Sequence, residues 1–200
     1  PGHRVLINGA GGGLGTLAVQ IVKAFGGVVT GVDSTDKLDM IRSLGADHVI
    51  DYTKEDFTRL GQRYDYILDI PGNHSLKECL RALEPDGTYV LIGHDGYGTT
   101  TNRWVGGVPR MLSLMARSLV TKQLPSPSFA MPSKQESLMT LSELLETGKL
   151  TPVIDRTYPL AEVPEAIRYL ESGQARGKII ITMEHADTKV TGEVRHPAIG

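Results

Sequence analysis

A short apolar run followed at once by a glycine-dense loop constrains this chain more than any other feature. Residues 5–8 (Val-Leu-Ile-Asn) predict a buried strand, and residues 9–15 read Gly-Ala-Gly-Gly-Gly-Leu-Gly. From Leu14 to Phe25 the apolar residues follow the spacing of an amphipathic helix. A strand, a glycine loop and a helix in this order bring backbone N–H groups to a phosphate at the helix N-terminus. We therefore expect a phosphate-bearing ligand at this loop.

The spacing of the loop matches the fingerprint G-x-G-x-x-G, with alanine in the first position. Ala10 stands at the tight turn, Gly12 lets the backbone approach a diphosphate, and Gly15 lets the helix pack closely on the strand. A glycine-rich turn without a ligand is the alternative, and the backbone entropy that adjacent glycines lose on folding counts against it. A Walker loop is excluded because no Gly-Lys-Ser or Gly-Lys-Thr follows.

Strands and helices alternate beyond the loop. The pattern predicts strands over residues 28–32, 48–51, 66–70 and 88–92, helices over 35–44 and 76–83, a helical turn over 55–60, and a turn over 85–87. Farther on it predicts a loop over 95–107, helices over 108–120, 137–147 and 164–170, an extended segment over 152–155, a strand over 178–182, and an edge strand among the prolines at 125–132. This alternation predicts an α/β fold, a doubly wound, mostly parallel sheet of the Rossmann type with helices on both faces.

An acidic residue follows the second predicted strand, where a dinucleotide site needs one. Asp33 lies 18 residues after Gly15, and a carboxylate there accepts both ribose hydroxyls of an adenosine and repels a 2′-phosphate. Asp36 adds negative charge nearby. Lys37 could reach a 2′-phosphate, although a solvated surface lysine is the more common role for such a residue. By charge alone the sequence favours NAD over NADP.

Composition excludes several other classes of protein. The formal net charge of −2 and the sparse aromatic residues (three Phe, one Trp, seven Tyr) give no sign of a nucleic-acid or membrane partner. Cys79 is the only cysteine, so the chain can form neither an internal disulfide nor a structural zinc site of its own. We expect Cys79 to pack in the core. We also expect a cytoplasmic protein, because no signal peptide or stretch long enough to span a bilayer is present.

Several motifs in order resemble the medium-chain dehydrogenase/reductases, in particular their zinc-free, quinone-oxidoreductase-like branch. The residues that carry the resemblance are 1–15, Ser-Leu-Gly-Ala-Asp-His-Val-Ile-Asp-Tyr at 43–52, Tyr-Ile-Leu-Asp at 66–69 and Gly-Lys-Ile-Ile-Ile at 177–181. The resemblance covers about residues 1–183. It implies an NAD(P)(H)-dependent oxidoreductase that acts on quinones, enones or similar activated carbonyl compounds.

The resemblance also implies roles for individual residues. It implies that the diphosphate is held by Ala10, Gly11, Gly12, Gly13, Leu14 and Gly15. Asp33 and Lys37 would flank the adenosine ribose, and Tyr52 would lie beside the adenine. In NADPH-using relatives a lysine and a tyrosine at these positions help hold the 2′-phosphate, whereas Asp33 departs from that pattern. Gly93 and His94 would lie near the nicotinamide. No metal ligand is implied.

A second expectation from the resemblance concerns a missing domain. Full members of the family begin with a barrel-like catalytic domain, and this chain begins just after it. We therefore expect a dinucleotide-binding domain over residues 1–150, a segment over 151–183 that returns to the missing domain, and a disordered tail over 184–200. The orphaned segment could fold onto the core, pair with another copy in a homodimer, or stay loose. We expect the isolated chain to be inactive.

The catalytic residues are unknown from the sequence, because the cofactor carries the chemistry of the implied reaction. The nicotinamide would supply the hydride, and the protein would supply position and electrostatics. His94 is a candidate proton donor by position, although a loop histidine is more often only a polar residue. Asp69 could be a hydrogen-bonding residue beside a hinge rather than an acid.

Two other functions remain open from the sequence. An S-adenosylmethionine-dependent methyltransferase would also use a glycine loop and an acid such as Asp51, and residues 83–87 resemble a turn of those enzymes. Asn8 stands where those enzymes usually have an acid, and the chain ends in strand, helix and strand rather than in an antiparallel hairpin. A dinucleotide-binding protein without turnover is the other alternative.

Overall fold

Five parallel strands form the central sheet. The computed structural model describes residues 1–93, 123–124 and 133–183. The strands of the sheet are β1 (Arg4–Asn8), β2 (Val28–Asp33), β3 (His48–Asp51), β4 (Tyr64–Asp69) and β5 (Leu83–Leu91), in the order β3-β2-β1-β4-β5. The chain leaves β1 in one direction through β2 and β3, and returns to the other side for β4 and β5. This reversal places a crevice outside the carboxyl ends of β1 and β4, where ligands bind in such sheets.

Helices cover both faces of the sheet, as the sequence predicts. The helices of this part of the fold are α1 (Gly15–Ala24), α2 (Leu38–Ser43) and α3 (Leu76–Arg81). Alternate residues of β1 point to opposite faces: Val5 and Ile7 belong to the apolar cluster under α1 and α2, and Leu6 belongs to the cluster under α3. Cys79 is fully buried in the second cluster, which confirms its role in the core.

A second, two-stranded parallel sheet follows toward the C-terminus. Its strands are β6 (Ile154–Pro159) and β7 (Lys178–Thr182), joined through helix α5 (Val163–Glu171), and helix α4 (Lys134–Glu146) precedes them. A capping box of Ser133 and Glu136 begins α4. Contacts join this part to the helix and loop beside the central sheet: the Gln20 side chain bonds the Thr151 backbone, and Gly12 forms an isolated parallel bridge with Gly177.

Some predicted boundaries are wrong. β5 begins at Leu83 rather than residue 88, because the predicted turn at 85–87 is a bulge between the pairings Tyr64–Leu83 and Tyr66–Thr88. The helix predicted over 35–44 begins with a 3-10 turn at Thr35–Lys37, and α2 itself starts only at Leu38. The predicted features at residues 95–107, 108–120, 125–132 and 184–200 lie outside the described residues.

None of the helices in the described ranges is long and apolar enough to cross a membrane.

Candidate functional site

The glycine loop folds back tightly between β1 and α1. Gly9 adopts a φ of +83°, and the N–H groups of Gly9 and Ala10 both donate to the Val32 carbonyl, at 3.0 and 3.1 Å. A Cβ atom on Gly15 would lie 2.1 Å from the Gly9 carbonyl oxygen. Helix α1 therefore starts in direct contact with the loop backbone, which is the close packing that the sequence predicts for Gly15.

Three consecutive backbone N–H groups point away from the loop's own hydrogen bonds at the start of α1. Gly12 donates to the Gly9 carbonyl at 3.3 Å, and Thr16 donates to the Gly12 carbonyl at 3.0 Å. Among the described residues, the N–H groups of Gly13, Leu14 and Gly15 find no protein acceptor. The first turn of α1 carries no acidic residue, so nothing there repels an anion. This arrangement suits a diphosphate that accepts hydrogen bonds from the backbone.

Gly12 has open space where a side chain would be. The nearest atom to a Cβ built on Gly12 is the Gly9 carbonyl oxygen at 3.6 Å, which is ordinary contact. The protein itself therefore does not require glycine at this position. A ligand that lies against the loop backbone would require it.

Asp33 and Lys37 lie together beside the loop, at the carboxyl end of β2. One carboxylate oxygen of Asp33 accepts the Gly11 N–H at 2.8 Å and the other accepts the Ser34 N–H at 2.9 Å. The Lys37 ammonium lies 3.7 Å from Asp33 and donates to the Gly173 carbonyl at 2.8 Å. Lys37 is only 6% exposed, so the surface-lysine interpretation of the sequence is wrong: its stem packs against Gly11 and its charge is paired.

The carboxyl end of β3 lies next to this pair. Asp51 accepts hydrogen bonds from the hydroxyls of Thr35 and Thr53 and pairs with Lys54 at 2.9 Å. These contacts hold the pKa of the Asp51 carboxyl well below its usual range, with the Thr35 hydroxyl as the largest cause. Tyr52 follows with 55% of its surface exposed, while its N–H donates to the Asp33 carbonyl at 3.1 Å. Its ring is therefore available to a planar ligand.

The segment before β7 crosses the site, which the sequence patterns did not predict. The Gly177 N–H donates to the Gly11 carbonyl at 3.1 Å. A Cβ on Gly13 would lie 3.5 Å from the Lys178 ammonium nitrogen and 3.2 Å from its Cδ. Lys178 thus brings a positive charge to the loop that exposes the free N–H groups. In the sequence, Gly177 and Lys178 appear only in a motif of the resemblance, since no local pattern connects them with a loop at the other end of the chain.

A cleft lies between this segment and the end of β2. Its volume is about 550 Å³, and its lining is polar. The residues that line it are Asp36, Asp155, Arg156, Tyr169, Gln174 and Arg176. Asp36 pairs with Arg176 at 3.2 Å, and the hydroxyl of Ser34 is the main cause of the lowered pKa of the Asp36 carboxyl. The guanidinium of Arg156 lies 3.7 Å above the Tyr169 ring.

The ends of β4 and β5 form the other half of the crevice. Asp69, the last residue of β4, is fully buried, and it accepts hydrogen bonds from Asn8 and Tyr89. Gly93 follows β5 and approaches the turn after β4 so closely that a Cβ would lie 2.0 Å from the Ile70 carbonyl oxygen. His94 lies outside the described residues.

Comparison with known proteins identifies the family. Residues 44–181 match the family described as zinc-binding dehydrogenase. The chain belongs to the medium-chain dehydrogenase/reductase superfamily. Within it, the chain is a domain of the zinc-free, quinone-oxidoreductase-like type. The part of the chain that the structure describes contains no group of three or more His, Cys, Asp or Glu residues that could hold a metal ion.

Individual members of the superfamily match most of this chain. The NAD(P)H oxidoreductase RTN4IP1, mitochondrial, of Mus musculus is 37% identical over 196 residues, which are 91% of this chain and 48% of that protein. The 2-methylene-furan-3-one reductase of Solanum lycopersicum is 33% identical over a matched region that covers 90% of this chain and 40% of that protein. The quinone oxidoreductase structure from Coxiella burnetii has a TM-score of 0.70 and 26% identity, and covers 92% of this chain and 53% of its own. The chain spans about half the length of the curated relatives it matches.

Proposed function

We propose that this chain binds a nicotinamide dinucleotide and that the protein uses it to transfer a hydride to a quinone, an enone or a related carbonyl compound. The observation that carries the proposal is the set of three N–H groups without a protein acceptor in the described residues, those of Gly13, Leu14 and Gly15. They stand at the reversal point of the sheet, where a diphosphate fits. The relatives named NAD(P)H oxidoreductase and alkenal/one oxidoreductase support the cofactor and the substrate class.

The residue roles follow the course of the crevice. We assign the diphosphate to Ala10, Gly11, Gly12, Gly13, Leu14 and Gly15. Lys178 lies over the same loop and supplies a charge that balances the diphosphate. Asp33 and Lys37 bind the adenosine ribose, and the exposed ring of Tyr52 contacts the adenine. Gly93 and His94 belong to the nicotinamide end.

The coenzyme choice rests on the Asp33–Lys37 pair. The Asp33 carboxylate already holds the Gly11 and Ser34 N–H groups, so it stays in place beside the ribose. Its negative charge opposes a 2′-phosphate, and the charge of Lys37 is compensated by Asp33. We therefore propose NAD(H) as the preferred coenzyme, with NADP(H) as the outcome if Lys37 leaves Asp33 on binding.

The bound nicotinamide would supply the hydride, and the residues of this chain would bind and orient it. The free N–H groups of the loop hold the diphosphate, and the ends of β4 and β5 fix the side of the crevice where the ring lies. We assign the proton donor to none of the described side chains, and the candidate His94 lies outside them. We further propose that the isolated chain binds cofactor without turning over substrate, as the resemblance to two-domain enzymes implies.

The division into domains supports the same conclusion. We propose that residues 1–150 form the dinucleotide-binding domain and that residues 151–183 belong to a second structural unit, because β6 and β7 form a separate sheet. The exposed apolar side chains of Ile154, Ile167 and Leu170 are surfaces that the proposed catalytic domain would cover. Coverage by a second copy, in a homodimer, is the alternative arrangement.

The compartment is a separate proposal. A cytoplasmic location rests on the single cysteine and the lack of an apolar span in the sequence. The relatives named mitochondrial offer no support for it. Fractionation of cells that express the tagged full-length protein decides between the cytoplasm and the mitochondrion.

Titration with three ligands tests the proposed function. We expect NADH to bind, NADPH to bind more weakly, and S-adenosylmethionine not to bind, as measured by calorimetry and by the fluorescence of the reduced coenzymes. Binding of S-adenosylmethionine alone would support the methyltransferase alternative. Turnover of a quinone by this chain alone would refute the proposed need for a further domain. Binding without turnover, also in the full-length protein, would favour the non-catalytic alternative.

A further inference from the structure

A fully buried carboxylate lies at the carboxyl edge of the sheet without touching the proposed cofactor positions. Asp69 is 0% exposed. Its Oδ1 atom accepts the Asn8 amide at 2.9 Å and the Gly72 backbone N–H at 3.0 Å. Its Oδ2 atom accepts the Tyr89 hydroxyl at 2.8 Å. A buried carboxylate is costly unless donors surround it, and an apolar residue would fill the same space at lower cost.

The donors to Asp69 come from three different parts of the fold. Asn8 ends β1 and stands opposite Asp69 in the register of the sheet. Tyr89 lies in β5, and Gly72 lies in the turn that follows β4. The Asn8 amide also donates to Oδ1 of Asn73 at 3.0 Å, which gives the same turn a second tie. The network therefore fixes the turn of residues 70–73 against the ends of two neighbouring strands.

This turn lies between the two ends of the proposed cofactor site. On one side, Pro71 Cδ is 3.2 Å from the position of a Cβ on Gly9, at the start of the glycine loop. On the other side, the Ile70 carbonyl oxygen is 2.0 Å from the corresponding position on Gly93. A small shift of the turn would therefore move Gly93, because no space separates the two.

We infer that Asp69 is a positioning residue, which fixes the turn of residues 70–73 so that the nicotinamide end of the crevice keeps its binding geometry. It acts through the Gly72 N–H, because its own burial keeps it from the cofactor. Hydrogen bonds to a charged acceptor are about twice as strong as those between neutral groups, which suits a carboxylate for this task. The inference rests on the proposed function, since it concerns the same crevice.

A comparison of two ligands separates positioning from a general structural role. ADP-ribose has the adenosine, the diphosphate and the second ribose of NADH, and it lacks the nicotinamide ring. Asp69→Ala removes the acceptor of three buried hydrogen bonds, and the one from the Gly72 N–H is the bond that holds the turn. Through the loss of that bond we expect the Kd of NADH to rise about tenfold, while the Kd of ADP-ribose changes less than about twofold. Asn73→Ala, at an exposed position, should act in the same direction with a smaller effect. Asp86→Ala, an exposed aspartate in β5, is the matched control and should change neither Kd.

The ratio of the two Kd values decides the outcome, because loss of global stability alone lowers both affinities together. An unchanged ratio in Asp69→Ala overturns the inference. If Asp69→Ala does not fold, Asn73→Ala decides alone, and an unchanged ratio there also overturns it. Asp69→Asn keeps an oxygen acceptor for the Gly72 N–H and is expected to restore the ratio to within about threefold of wild type. Wild-type protein that binds neither ligand would refute the proposed function itself, a result distinct from an unchanged ratio.

Discussion

Two substitutions in the glycine loop separate the structural role of a glycine from its role in binding. A methyl group added at Gly15 would lie 2.1 Å from the Gly9 carbonyl oxygen and 2.6 Å from Ala10 Cα. Both atoms are backbone, so α1 and the loop must move apart by roughly 1 Å to reach ordinary contact distances. A methyl group added at Gly12 meets only the Gly9 oxygen, at 3.6 Å. A methyl group at Gly15 therefore requires the backbone to move, whereas a methyl group at Gly12 fits without any movement.

The expected stabilities follow from these distances. Gly15→Ala should lower the free energy of unfolding by about 1–3 kcal/mol, the usual cost of overpacking, reduced by the better helix propensity of alanine. Gly12→Ala should leave it unchanged or raise it by about 0.4–1 kcal/mol, because alanine restricts the unfolded chain more than glycine does. Urea unfolding followed by circular dichroism measures both changes.

We expect Gly12→Ala to weaken cofactor binding, although it does not lower stability. Its added methyl group points into the space where a diphosphate meets the loop, so we expect the Kd of NADH to rise at least about tenfold in Gly12→Ala despite intact stability. Fluorescence titration with NADH measures it. A Gly12→Ala protein that binds NADH as tightly as wild type would refute the placement of the diphosphate on this loop. A Gly15→Ala protein as stable as wild type would refute the packing argument.

Three further predictions concern the charged residues of the site. Asp33→Ser should raise the affinity for NADPH relative to NADH by about tenfold or more, because it frees Lys37 for the 2′-phosphate; an unchanged coenzyme ratio would show that Asp33 does not contact the ribose. Lys178→Met should weaken NADH and ADP-ribose alike and reduce the salt dependence of their Kd values, whereas the exposed Lys77→Met serves as control and should do neither. Because the pKa of Asp51 is lowered in the folded state, its ionised carboxylate stabilises the fold at pH values above the unfolded-state pKa of about 3.9. This contribution to stability is lost as the pH falls below that value. Asp51→Asn should therefore lose less stability than wild type between pH 6 and about pH 3 in urea titrations, and equal losses would contradict this origin.

Local patterns carried most of the fold prediction. The 3.6-residue period of α1 and the apolar runs of the parallel strands are properties of neighbouring residues, so they are visible without tertiary structure. The weak points were places where pairing overrides local preference. Residues 85–87 have turn chemistry, yet the structure includes them in β5, because Leu83 pairs with Tyr64 across the bulge.

The sequence by itself determined the glycine loop, the acid after β2 and the family to which these belong, since each is a short motif with fixed spacing. Only the tertiary structure decided that Lys37 is buried against Gly11, that Lys178 reaches the loop from the far end of the chain, and that Asp69 joins three parts of the fold. The physical reason is sequence distance. Burial, charge pairing and hydrogen bonding arise where the chain brings remote segments together, and no local pattern of residues records which segments will meet.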